Sequence, residues 1–76
     1  MKFKLLDVVV LERDEPEHEL KAGDTGTIVE LYEPDGLEVE FLNGTGDTQA
    51  VLTLDTNGVR HLNENDILAV RSVNAA

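Results

Sequence analysis

Apolar residues recur along this chain with a period of two rather than 3.6, which is the spacing of strands and not of helices. Five blocks carry the pattern. Leu5 to Glu12 is nearly continuous and β-branched at its centre. Thr25 to Tyr32 is the second. In Leu37 to Leu42, the residues Leu37, Val39 and Phe41 alternate with Glu38 and Glu40, the mark of a half-buried strand. Gln49 to Leu54 sets Ala50, Leu52 and Leu54 on one face and Val51 and Thr53 on the other. Ile67 to Val73 is the fifth, with Leu68 and Val70 facing opposite to Ala69 and Arg71.

The segments between the blocks have turn chemistry. Pro34-Asp35-Gly36 predicts a tight hairpin between blocks two and three, with proline presetting φ and Gly36 supplying a positive φ. Asn43 to Asp47 predicts a longer loop. Asn57-Gly58 is a second hairpin signal, and it predicts that Val59 to Leu62 folds back on the end of block four. Asp14 to Ala22, with Pro16 and mixed charge, reads as a long loop. Asn63 to Ile67 predicts one 3-10 turn capped by Asn63. The tail Asn74 to Ala76 is expected to fray.

In the most patterned stretch, Leu20 to Glu30, two glycines precede a β-branched run. Gly23 permits the tight turn into the strand, and Gly26 permits a bulge or bend within it. Asp24 is placed to accept backbone hydrogen bonds in an Asx-type turn. The expected fold is therefore all-β: one domain spanning residues 1–76, with a core from about 4 to 73. Its architecture is a small five-stranded SH3-like barrel with a 3-10 turn before the last strand. An OB-like barrel, which needs a helix between its third and fourth strands, fits less well.

Charge changes the picture. Sixteen acids against six bases give a net charge of −10, and eleven acids but only two bases lie between Glu12 and Glu40. Affinity for nucleic acid comes from lysine and arginine displacing counterions, so direct DNA or RNA binding is not expected. An anionic membrane surface is no better a partner. No signal peptide or membrane-spanning run is visible, so the expected location is cytoplasmic.

Four segments together carry a resemblance: Leu6 to Leu11, Gly23 to Val29, Leu37 to Phe41 and Val51 to Leu54. They resemble a bacterial family of small proteins known as domain of unknown function 4926, over roughly Lys4 to Val70. Asp55 to Asn63 departs from that pattern as extra length before the last strand. The resemblance implies the fold and no activity. Gly23 to Val29 is also similar to the KOW motif of SH3-like barrels in ribosomal and transcription proteins. That similarity implies an RNA partner, which the charge opposes.

Candidate chemistry is sparse. There is no cysteine and one serine, and His18 and His61 are far apart, so neither a nucleophilic triad nor a zinc motif can be assembled. Asp14 to Glu19 holds four acids and a histidine but lacks the ligand order of a calcium loop. No enzyme, cofactor or metal is expected. The leading expectation is a small acidic protein-binding module, an accessory, regulatory or antitoxin-like subunit docking a more basic protein. Its contact residues would be Asp14, Glu15, Glu17 and Glu19 in the loop, with Glu30, Tyr32, Glu38 and Glu40 on the strands. Gly23, Asp24, Gly26, Asp35 and Gly36 are the structural turn residues. A phosphate mimic occupying a basic groove is the alternative, and a homo-oligomer sealed by edge strands is possible.

Overall fold

The computed structural model describes residues 1–73, so the tail Asn74 to Ala76 lies outside the described residues. The strands are β1 (Val8–Leu11), β2 (Thr25–Tyr32), β3 (Gly36–Leu42), β4 (Thr48–Asp55) and β5 (Val59–His61). They form one antiparallel sheet in the order β4-β3-β2-β1-β5. Two 3-10 turns, Pro16–His18 and Thr56–Gly58, lie in the β1–β2 loop and before β5.

Three strands match the alternating blocks to within a residue. The chain beyond β4 does not. The block Ile67 to Val73 is not a strand among the described residues, and the last strand is Val59–His61. Nor does that segment fold back on β4: it pairs with β1, with Leu11 opposite Val59 and Val9 opposite His61. A strand of three residues already committed to β1 does not bridge to β4, so the sheet stays open and the expected closed barrel is not formed. The 3-10 turn before the last strand exists, but at Thr56–Gly58 rather than Asn63 to Ile67. Its cap is Asp55, whose side chain accepts from the Asn57 N–H at 2.8 Å.

The core lies on one face of the sheet. Phe3, Val9, Leu11, Leu20, Ile28, Leu37, Val39, Phe41, Leu52 and Val59 form a single buried cluster. Leu20 contributes from the long loop, which is closed on itself by a bridge between Glu15 and Leu20. Gly23 has φ +98°, as the turn before β2 requires. Gly36 does not take the expected positive φ; the turn itself is Glu33-Pro34-Asp35, and Gly36 opens β3 opposite Tyr32.

Gly26 also has a role other than the expected one. The register shift in β2 falls between Ile28 and Glu30, at Val29, not at Gly26. That bulge keeps the strand in phase with its two environments. Gly26 and Ile28 face the core, and a regular strand would turn Glu30 the same way. One extra residue instead sends Glu30 outward and Leu31 inward, where Leu31 packs against the core.

Residues 67–73 run as a strap outside the sheet. Ile67, Leu68 and Val70 are 91%, 69% and 100% exposed. Two ion pairs hold the strap. Arg60 grips Asp66 with hydrogen bonds of 2.9 and 3.0 Å. Arg71 binds both carboxylate oxygens of Asp24 and donates to the Glu19 carbonyl at 2.9 Å.

The carboxylates respond to this grip. The hydrogen bonds from Arg60, then the Asn63 N–H, pull the Asp66 carboxyl down to about 2. Partial burial works against the charged form of Asp24, but Arg71 and the Lys21 N–H outweigh it and hold the group below the usual range. A depressed folded-state pKa stabilises above the unfolded value and is lost as pH falls through the folded one. The strap is therefore expected to detach on acidification, first as pH drops through the ordinary carboxylate range and fully near the Asp66 value. Backbone chemical shifts of Ile67 to Val73 followed against pH check this, with Asp24→Asn expected to loosen the strap already at neutral pH.

Candidate functional site

The outer face of the sheet carries the acids of β2 and β3. The hairpin register sets Glu30 directly opposite Glu38, two like charges on adjacent strands. Glu40 lies one repeat further along β3, opposite Thr27 on one side and Val51 on the other. Two threonines of β4 orient these carboxylates. Thr53 donates its hydroxyl to Glu38 at 2.7 Å, and Thr48 donates to Glu40 at 2.7 Å. Each hydrogen bond fixes a side chain that would otherwise swing in solvent.

Tyr32 is exposed at the end of this row. Its phenol is pushed above the usual value, first by partial loss of water and then by the carboxylates of Glu38 and Glu30. As the chain has one tyrosine and no tryptophan, its ultraviolet titration is free of overlap. Glu38→Gln should move that titration toward lower pH; an unchanged curve would show that Glu38 does not face the phenol.

The loop acids are a separate group. The β1–β2 loop returns to the sheet at Thr25, whereas the Glu30–Glu38 pair stands five positions along β2, about 16 Å for an extended strand. Asp14 is occupied internally, accepting the Ala22 N–H at 2.9 Å. Glu17 and Glu19 are exposed around the 3-10 turn, and Glu15 is half-buried. No hydrogen bond or ion pair among the described residues joins these acids to Glu30, Glu38 or Glu40. The structure places the eight expected contact residues in two groups rather than in one continuous patch.

Asp24 accepts a nearby backbone amide as its position suggests, but the donor is the Lys21 N–H at 2.8 Å, three residues back, and not the amide two residues on that an Asx turn uses. Its pairing with Arg71, 47 residues away, left no trace in local spacing. Beneath the strap lies an open groove of about 1000 Å³, lined by Val10, Leu20, Thr25, Phe41, Leu42 and Leu62 among others. Its main charged groups, Asp24, Asp66, Arg60 and Arg71, are committed to the two strap ion pairs. Among the described residues no group of three or more His, Cys, Asp or Glu is arranged to hold a metal ion. Among the described residues no helix is long and apolar enough to cross a membrane.

The arrangement can present negative charge and hydrogen-bond acceptors on a rigid sheet. From Ala22 to Val59 the chain has eight acids and no lysine, arginine or histidine, so three strands carry one sign of charge. No curated protein and no solved structure matches the chain. Residues 5–61 match the family described as Domain of unknown function (DUF4926). That span begins just before β1 and ends with β5, so it contains every strand of the sheet and leaves the strap outside. The chain therefore belongs to the DUF4926 family.

Proposed function

We propose that this chain is an acidic docking module, an accessory or regulatory subunit that binds a more basic protein through the outer face of β2 and β3. The observation that carries the reading is the row Glu30, Glu38 and Glu40, with two of its carboxylates oriented by Thr53 and Thr48 and no base within the three strands. Like charges set opposite each other weaken an isolated sheet, and a cationic partner relieves that repulsion. Complementary charge of this kind speeds association and selects partners. The β1–β2 loop with Glu15, Glu17 and Glu19 supplies a second acidic region at the Thr25 end of β2.

We also propose that the fold is SH3-like in its connectivity. A long loop after β1, hairpin connections through β4 and a 3-10 turn before β5 support that plan. The sheet order, with the last strand beside the first, agrees with it. The KOW-like similarity of Gly23 to Val29 does not favour RNA here, because β2 to β4 offer phosphate no cation.

The test is capture from the native host at low salt, with the wild type beside Glu30→Lys and Glu38→Lys. A stoichiometric partner that both substitutions release, and that rising salt weakens, supports the reading. No partner, or one indifferent to both charge reversals, overturns it.

A further inference from the structure

The edge of the sheet at β4 is unlike a protected edge. Edge strands normally carry lysine, proline or inward charges, or are kept short, because their outward N–H and C=O groups recruit other strands. β4 runs for eight residues, Thr48–Asp55, its only charge is the terminal Asp55, and its one bulge, at Gln49, lies near its start and leaves Ala50 to Asp55 in regular register. It pairs with β3 alone, and no other backbone hydrogen bond among the described residues meets its outer side. On the core face, Ala50 and Leu54 pack against the cluster yet are only partly buried, so the core is left open at this edge.

We infer that β4 accepts an extended segment of the partner as a sixth strand, and that this segment alternates basic with apolar residues. The inference rests on the docking reading above and names its edge and its ligand chemistry. Side chains of an added strand opposite Ala50, Leu52 and Leu54 would turn toward the core, where apolar groups complete the open end of the cluster. Those opposite Val51 and Thr53 would turn to the outer face. There they lie about 10 Å from β3, within reach of Glu38 and Glu40 for a long lysine or arginine. Thr48 and Thr53 stand on β4 itself and hold these two carboxylates along the edge. Main-chain pairing supplies affinity, and the alternation supplies specificity. A second copy of this chain is a poorer occupant, because it brings another net charge of −10.

The probe is a capped heptapeptide alternating lysine and valine, titrated into the isotope-labelled full chain and followed by amide chemical shifts. The expected shifts fall on Thr48 to Asp55 and the adjoining β3 residues. A peptide of the same composition with its lysines and valines in separate blocks is expected to bind roughly tenfold more weakly, since charge alone does not fix register. N-methylation of the alternating peptide should abolish binding. Val51→Lys, at an exposed position opposite Glu40, should weaken binding to a similar degree, while Glu17→Lys in the loop leaves it within about twofold. Equal affinity of the two peptides, shifts confined to residues 14–19, or no binding overturns the inference. If a natural partner is captured and Val51→Lys retains it while Glu38→Lys releases it, the edge is excluded and the acidic docking face stands.

Discussion

Gly26→Ala should destabilise this domain by about 2–3 kcal/mol, the cost of overpacking a tight site. A Cβ built at Gly26 lies 2.6 Å from Val39 Cγ1, 2.8 Å from Phe41 Cε2 and 3.0 Å from the Glu40 carbonyl oxygen. None of the three can withdraw easily. Val39 and Phe41 are core residues at 0% and 2% exposure, and the carbonyl belongs to a strand fixed on both sides. The methyl group therefore pushes β2 away from β3 at the centre of the sheet. Small domains have a total stability on the order of 5 kcal/mol, so the variant keeps about half of it. The corresponding drop in melting temperature is roughly 10–20 °C. Gly44→Ala is the control. A Cβ there meets nothing within 4 Å, and its effect should stay within about 0.5 kcal/mol. Thermal melts of the two variants beside the wild type make the comparison. Equal melting temperatures would mean that β2 and β3 are not in close approach at Gly26.

Much of the sheet was legible because β2, β3 and β4 are neighbours in sequence and in space. Alternation along each strand and the turns between them are local signals, and local signals survive in a single chain. The remainder depended on distant partners. Ile67-Leu68-Ala69-Val70 has stronger strand propensity than Val59-Arg60-His61, yet the weaker segment is the strand. Propensity describes how well a residue fits a pleated surface and not whether an edge is free to receive it. β1 offers its open edge to the segment that the Thr56–Gly58 turn delivers, and three pairs are enough to take it. The bulge at Val29 was hidden for another reason. A one-residue slip changes which face each residue takes without changing composition. The sign that it exists is Glu30 standing where a regular strand would turn inward.

The acidic residues illustrate the same division. That Glu30 and Glu38 meet follows from the hairpin register between β2 and β3; that Thr53 and Thr48 orient Glu38 and Glu40 needed the β3–β4 register. The pairing of Arg71 with Asp24 joins residues 47 positions apart and is invisible in spacing. It also converts Asp24 from a turn residue alone into the anchor of the strap.

Phe3 should prove as important to stability as any residue within the strands, although it precedes all of them and lies outside the span that matches the family. It is 2% exposed and is among the largest fully buried side chains. Its ring lies 4.4 Å from that of His61, tilted by 32°. The chain is held around it by one local bond and one to β5. Asp7 accepts the Lys4 N–H at 2.9 Å and reaches His61 Nε2 at 3.2 Å. The Lys4 bond, followed by His61, keeps the Asp7 carboxyl below the usual range against the pull of partial burial. Phe3 thus plugs the side of the core next to β5, the shortest strand and the one with fewest other contacts. Phe3→Ala removes a large aromatic and leaves a cavity, at a cost of about 3 kcal/mol. Phe3→Leu keeps most of the volume and should cost about 1 kcal/mol. Urea denaturation of both variants measures the difference, and amide exchange of Val59 to His61 should accelerate in Phe3→Ala more than that of β3. A Phe3→Ala midpoint equal to that of the wild type would mean that β5 stays on β1 without the N-terminal segment.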